Sequence, residues 1–590
     1  MEDILLTVKR PAQYIGREWN VSKKEFDKTN IRFALSFPDL YEVGMSNLGL
    51  RIIYGILNNI SDVVCERFFS PDSDMEALLR STNQSIRSLE SQKGLDEFEL
   101  IGFSLGSELC YTNILNILEL GGIPLKSSER LNNHPLVIGG GPCALNPEPL
   151  HEFFDIFIIG EAEEALVEIV DIYRQHKPDY KSGNISKSGL LLLFAHLEGV
   201  YIPSFYETKE TCDGLLEEFR PKITGVPSKI SKRTIEDLDV SFFPVEWLVP
   251  YIQIIHDRIT LEIMRGCPNR CRFCQARSQY FPLRIKKAEK ILELAKQAYK
   301  NTGYEEISLG GLSVSDYPKI EGLSQSLLDA FKGEAVSVSL PSIKAHSYVG
   351  NLSSIIAKVK KTGLTFAPEA GSDRLRSLLL KDFDEKEFFR ALLEAYAAGY
   401  QRVKLYFMVG LPFETDADLD AIVDFSKRVS EERRKVAKGA AEVNVSINTL
   451  IPKPHTPFQW FGMSSGEEIQ RKYDYLKTKI KSRHLKLNFH NWQMSMLEGI
   501  LSRGDRRLSA VILNAFKKGA KFDAWSDHFD FQKWAQAFRE SGVDPAAYLK
   551  ERPGNSFFPW DFLDVGINKD SLIREFYKLI ENKGDKGYNH

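Results

Sequence analysis

Three cysteines crowd into eight positions of this 590-residue chain, as Cys267-Pro-Asn-Arg-Cys271-Arg-Phe-Cys274. Thiolates are soft ligands that select iron–sulfur clusters or zinc. Three on one short loop can each hold one iron of a cubane. The fourth iron is then left without a protein ligand, free to chelate the amine and carboxylate of a small molecule. Structural zinc, the competing chemistry, takes four protein ligands, and the nearest histidine, His256, lies eleven residues upstream of the triplet. Phe273, one before the last thiol, suits a shield between a cluster and water. Seven cysteines are too few for a disulfide framework; Cys65, Cys110, Cys143 and Cys212 are scattered upstream.

A cluster needs a rigid carrier, and the run Thr260–Met264 reads as a strand that delivers the loop. From Ile254 a strand–helix rhythm continues through Glu306–Leu309, Ala335–Leu340, Gly363–Ala367, Gln401–Val409 and Val443–Leu450. Helical stretches at Ala288–Tyr299, Leu323–Phe331, Glu385–Ala398 and Asp416–Val429 separate most of these strands. Six such units fit a partial (β/α) barrel. Upstream, Ile31–Phe37, Asp62–Phe69, Leu100–Leu105, Leu136–Ile138 and Ile156–Ile159 read as strands, with helical runs at Leu48–Leu57, Cys110–Leu120 and after Gly160. Repeated strand–loop–helix units predict a doubly wound parallel sheet that binds ligands beyond its strand ends. The fold class is therefore α/β. The expected divisions are a doubly wound domain at 1–175, a connecting region at 176–245, a barrel at 246–465 and a mainly helical, Trp-rich region at 466–590.

The triplet after the first barrel strand resembles the radical S-adenosylmethionine (SAM) superfamily, whose core is a partial (β/α)6 barrel. That resemblance implies a [4Fe–4S] cluster on Cys267, Cys271 and Cys274, with SAM chelated to the open iron and its C5′–S bond cleaved by an electron from the cluster. It also implies SAM-side residues. Gly310 and Gly311 stand where relatives carry Gly-Gly-Glu, with Leu312 replacing the glutamate, so the backbone contact alone carries over. Glu369, in Phe366-Ala-Pro-Glu-Ala-Gly-Ser372, matches a residue that meets the SAM ribose or amine. Gly410 opens Gly-Leu-Pro-Phe-Glu-Thr415, an element common near SAM, and Phe273 lies beside the cluster.

The amino-terminal third is similar to the cobalamin-binding group of that superfamily. Val137-Ile-Gly-Gly-Gly-Pro142, then Pro147 and Pro149, then Ile159-Gly-Glu-Ala-Glu-Glu164 follow its order. This implies cobalamin contacts at Ser104, Gly139, Gly140, Gly141 and Glu161. In Asp39-Leu-Tyr-Glu-Val-Gly44, Tyr41 replaces the cobalt-ligating histidine of the Asp-x-His-x-x-Gly motif, which implies cobalamin without a lower histidine ligand. Across nearly the whole chain the likeness tightens to B12-binding-type radical SAM proteins. It rests on Phe37–Ser46, Leu340–Ile343, Thr365–Arg374, Tyr406–Pro412 and Pro452–Trp460. Lys453, His455, Gln459 and Trp460 follow the sixth barrel strand. Tyr41 and His455 are the catalytic candidates, His455 as a proton donor or substrate ligand, with a structural histidine as the alternative. Arg506 and Arg507 are candidates for an anionic substrate. Relatives often end in a cysteine-rich tail, which Lys586–His590 lacks.

A net charge of −3 advertises no global field for nucleic acid. No apolar run reaches about 18 residues, and the start lacks the pattern of a secretory signal, so a cytoplasmic protein without membrane contact is expected. The expected function is reductive cleavage of SAM to a 5′-deoxyadenosyl radical, with cobalamin, for methyl transfer or rearrangement. RNA or protein is the expected substrate class, and a flavodoxin or ferredoxin the expected electron donor. Two alternatives stay open. One is a methylthiotransferase-like enzyme with a second cluster on Cys65, Cys110 and Cys143. The other is a non-catalytic cluster or cobalamin sensor.

Overall fold

The computed structural model describes residues 5–210, 216–339 and 364–581. Cys212, Leu340–Ile343 and Lys586–His590 lie outside them. The first unit is a six-stranded sheet of β1 (Ile31–Phe37), β2 (Val63–Phe69), β3 (Leu100–Ser104), β4 (Leu136–Gly140), β5 (Ile156–Ile158) and β6 (Val200–Tyr201). Its order is β2-β1-β3-β4-β5-β6, parallel except for β6 against β5. These strands are apolar runs because helices such as α1 (Leu48–Asn59), α2 (Tyr111–Leu120) and α3 (Ala162–Ser182) leave few strand residues exposed. The chain reverses its winding between β1 and β3, which places the switch point between the loops that follow them.

The expected boundary at residue 175 falls inside α3, and β6 comes from the stretch read as a connecting region. The charged exterior of α3 masks its buried stripe, which runs from Ala165 through Tyr173 to Tyr180. Beyond the sheet, β7 (Tyr206–Glu210) and β8 (Leu216–Pro221) pair as a hairpin, and β9 (Ile230–Ser231) follows.

The barrel consists of two parallel sections. One is β10 (Ile259–Glu262), β13 (Glu306–Gly310) and β14 (Ser337–Ser339). The other is β15 (Leu364–Glu369), β16 (Arg402–Val409), β17 (Glu442–Thr449) and β18 (Leu485–Phe489). Helices α4 (Ala288–Thr302), α5 (Ile320–Ala330), α6 (Glu385–Ala397), α7 (Asp416–Glu432) and α8 (Gly466–Lys479) connect and cover these strands. All six expected strands form. A seventh, β18, extends the sheet past residue 465, where the sequence reads as helical. Its short alternation, Leu-Lys-Leu-Asn-Phe, with one fully buried residue, gives too little apolar signal to stand out.

The chain continues through α9 (Trp492–Arg503), α10 (Leu508–Lys517), α11 (Phe531–Glu540), β19 (Leu563–Asp564) and α12 (Lys569–Glu581), with a short helix at Ala546–Leu549. One apolar core runs from the six-stranded sheet into these helices, while separate cores fill the two barrel sections. Among the described residues, no helix is long and apolar enough to cross a membrane.

Candidate functional site

The cysteine loop leaves β10 through a short strand, β11 (Met264–Arg265), which pairs antiparallel with β12 (Arg284–Ile285) and closes the loop at its base. Gly266 turns the chain with φ +95°; a Cβ there would lie 2.7 Å from the Tyr280 carbonyl oxygen, so no other residue fits. Beyond the turn the loop is tied from four directions. The Arg272 backbone N–H donates to the Leu379 carbonyl (3.0 Å) and its guanidinium to that of Leu378 (2.8 Å). Arg277 pairs with Glu575 of α12 at 2.8 Å. Lys232 donates to the carbonyls of Ser278, Gln279 and Phe281 at 2.6–3.1 Å. Asn269 donates to Cys267 Sγ (3.3 Å) and to Asp316 (3.0 Å).

All three thiols are half-buried. Burial pushes Cys271 up to about 11, with the charges of Cys274 and Cys267 adding to it. Burial raises Cys274 as well, against backbone N–H groups of Ala276 and Arg277 that favour its thiolate. Phe273 is half-buried and packs against the large core. Glu369 ends β15 just past a register shift, with φ +68°. A glutamate in the left-handed region is a strained conformation of the kind that gathers at functional sites. Its carboxylate sits 3.5 Å from Lys381 Nζ and close enough to Cys271 and Cys274 for its charge to act on both. Burial raises the Glu369 carboxyl, with Lys381 opposing. Lys381 is a site residue that the sequence reading missed; nothing in its local sequence sets it apart.

Gly310 and Gly311 sit half-exposed at the tip of β13. Added Cβ atoms would meet Thr260 and Met264 at 3.0 Å, so packing alone requires small residues there. Gly410, at φ +79°, donates its N–H to Glu414 (2.8 Å), which takes Lys472 at 2.6 Å. The Gly-Leu-Pro turn is thus braced from within.

Several expected ligand residues of the first unit make contacts within the protein. Glu161 accepts both Arg284 terminal nitrogens at 2.8 Å and lies 3.2 Å from Arg265, the residue before Gly266. Burial alone would raise its carboxyl; the two arginines hold it below the usual range. It therefore braces the cysteine hairpin. Tyr41 is buried and donates to Glu18 (2.9 Å), which pairs with buried Arg67. Gly139 packs under Phe154, and Gly141, at φ +119°, lies against the Leu105 backbone. His455 is buried with Nε2 on the Leu145 carbonyl (3.0 Å), while its own carbonyl accepts Ser278 Oγ (2.5 Å). Burial, helped by the charge of Lys232, lowers it to about 4, so it is a neutral joint between units. Arg506 is taken by Glu148 and Tyr201, and Lys453 by Glu108 and Glu498. Cys65 lies mid-strand in β2, where burial raises its thiol with Glu90 and Glu66 adding, whereas burial raises Cys143 with Glu108 and Cys110 adding and Lys453 opposing. Among the described residues, no three Cys, His, Asp or Glu side chains gather as a single-metal site.

Residues 49–203 match the model for radical SAM proteins, N-terminal, and residues 261–426 that for the radical SAM superfamily. A protein of Methanocaldococcus jannaschii is 30% identical over 509 residues, covering 84% of this chain and 96% of that protein. The chain belongs to the radical SAM superfamily. A tRNA-2-methylthio-N(6)-dimethylallyladenosine synthase of Petrotoga mobilis is 23% identical over 226 residues, 36% of this chain and half of that protein. Two solved structures are also similar. The cobalamin-dependent SAM radical enzyme OxsB, bound to aqua-cobalamin and SAM, has a TM-score of 0.45 at 12% identity, covering 94% of this chain and 79% of that one. The radical SAM methyltransferase TsrM of Kitasatospora setae scores 0.46 at 12% identity, covering 87% and 100%.

Membership in the radical SAM superfamily implies a [4Fe–4S] cluster and SAM, and the residues fit both. Burial makes Cys271 and Cys274 resist ionisation unless cations stand beside them, and a cubane supplies one iron to each of the three crowded, half-buried sulfurs. A strained carboxylate and a lysine flank the same loop.

Proposed function

We propose that this radical SAM protein is an enzyme that cleaves SAM reductively and uses the resulting radical on a macromolecular substrate. When bound, the cluster supplies the electron that splits the C5′–S bond of SAM into methionine and a 5′-deoxyadenosyl radical. Cys267, Cys271 and Cys274 would hold the cluster, the Gly310–Gly311 backbone would meet the amine, and Glu369 would orient the ribose or amine. Lys381 holds Glu369 in place and adds positive charge beside Cys271. Phe273 would cover one side of the cluster, and the paired hairpin holds the loop at its base. The observation that carries this reading is the convergence of the three cysteines with Glu369 and Lys381 at one end of the barrel. The anaerobically reconstituted protein should form 5′-deoxyadenosine from SAM with dithionite, measured by chromatography. Intact cluster with no product would overturn the reading. Replacing the three cysteines by alanine should remove the iron while leaving the far-ultraviolet circular dichroism unchanged.

Cobalamin is proposed as the second cofactor, serving methyl transfer. Its support is the crest at the carboxyl ends of β3 and β4, beside the switch point. Ser104 and Gly140 are half-exposed there, and a Cβ on Gly106 would meet nothing within 4 Å, leaving room for a broad ligand. Cobalamin added to the purified protein should stay bound through gel filtration, and Ser104→Trp with Gly106→Trp should release it. Retention by that variant would remove the crest from consideration. The electron would come from a flavodoxin or ferredoxin.

A further inference from the structure

Residues 433–438 and 477–486 hold nine Lys and Arg and no Asp or Glu, in a chain whose net charge is −3. The fold brings these stretches together. The first leads into β17 and the second into β18, and Val443 N–H donates to the His484 carbonyl (2.8 Å) to join them. Neighbouring acids occupy part of the set: Lys435 pairs with Glu432, Lys477 with Asp474 and Lys479 with Asp420, at 2.7–3.1 Å. Arg434, Lys438, Lys481, Arg483 and Lys486 are exposed and have no acidic partner among the described residues.

Protection of a sheet edge accounts for Lys486, since β18 ends its sheet and edge strands carry lysine against strand addition. It does not account for Arg434 and Lys438, which precede an interior strand. Delivery of electrons by an acidic carrier does not account for them either. The patch lies at the amino ends of the parallel barrel strands, the end opposite the one where the cysteine loop follows β10 and β11. Across the eight residues of β17 that is roughly 25 Å at about 3.3 Å per residue. The nearby rings are already covered, Tyr475 by Lys479 at 4.8 Å and Phe489 by Lys477 at 5.3 Å. The patch therefore offers charge without stacking platforms, a surface that reads backbone and not bases.

We infer that this face grips the phosphate backbone of a nucleic acid, which names the substrate class of the proposed enzyme. A polymer can be held at one end of the barrel and worked on at the other, as a small molecule cannot. The inference rests on the proposed function for its purpose, but its test is a binding assay that needs no SAM turnover, so either can fail alone.

Fluorescence anisotropy with a labelled RNA hairpin, and with a DNA hairpin of the same sequence, would be followed over a KCl series using the reconstituted full chain. Arg434→Glu with Lys438→Glu, and separately Lys481→Glu with Arg483→Glu and Lys486→Glu, should each weaken RNA binding at least about tenfold. Each should flatten the log–log salt slope by about one per cation removed. The matching glutamine variants should give the same trend more weakly, with unchanged melting and unchanged 5′-deoxyadenosine formation. Tighter binding of RNA than of DNA would make RNA the substrate, and equal binding would support backbone recognition of either. Unchanged affinity and slope in both reversals would overturn the inference. So would polyglutamate competing as well as the RNA, which would assign the face to an acidic protein.

Discussion

At Glu161 one buried carboxylate serves two arginines, and through them the hairpin that carries the cysteines. Removing one partner of a buried ion pair strands the others, at about 3–5 kcal/mol. Glu161→Gln should therefore lower the denaturant midpoint by that equivalent and slow cluster reconstitution, read as iron per chain. Because the folded carboxyl titrates low, its stabilisation is complete above the unfolded value near 4.5 and is lost as pH falls through the folded value; Glu161→Gln should lack that acid-side loss. His455 acts over a different window. Its folded value of about 4 lies below the unfolded 6.5, so the unfolded chain binds the extra proton between them. Stability should rise by about 3 kcal/mol from pH 4 to 6.5 on this account, and His455→Gln should flatten that slope in urea titrations. The three thiols were legible because their spacing is itself the chemistry. The purpose of Glu161 was not, because its partners lie more than a hundred residues away, and a motif shows composition without showing what it faces. Arg265, directly before Gly266-Cys267, was the available clue.

Elements were legible where one face or both are buried. β1 matches the expected span residue for residue, and β2 and β3 differ from theirs by a single residue, because parallel strands covered by helices read as mainly apolar runs, with Glu66 and Arg67 of β2 buried among them. β18 failed that test, being an edge strand with alternating exposure. Among the loops, the turn at Gly266 is the one on which the cysteines depend, and it leaves no room for a side chain. Gly266→Ala forces a Cβ to within 2.7 Å of a carbonyl oxygen at φ +95°, a strain of about 1–3 kcal/mol. We expect it to lower the melting temperature and to cut iron incorporation more steeply than Gly303→Ala, whose Cβ would meet nothing within 4 Å. The loop before α11 makes a pH prediction of its own. Burial raises Asp523 to about 6, although Trp534 and Thr112 donate to it. A raised carboxyl favours the folded state while protonated, so stability should fall as pH rises from about 4 to 6. Asp523→Asn should remove that decline in denaturation measured across the range.

At the scale of the molecule, the carboxy-terminal helices complete the amino-terminal sheet. α10 packs on α2, Thr112 donates to Asp523 across 411 residues of sequence, and one apolar core holds both ends. Periodicity within a segment carries no record of such a return, so the sequence shows this region only as a mainly helical, Trp-rich stretch. A shared core predicts one cooperative transition for both ends. Fluorescence of Trp534 and hydrogen exchange of β1 and β3 should report the same unfolding midpoint, and a chain cut before Trp492 should lose the sheet along with the helices. The bond between Arg277 and Glu575 carries this further, into the life of the protein. Glu575 leaves the ribosome about 15–60 s after Cys274, at roughly 5–20 residues per second. Until then the cysteine loop lacks one of its anchors. Iron is thus best received by the finished chain, and a ribosome stalled late in the message would release a protein with its cysteines made and its cluster unprotected.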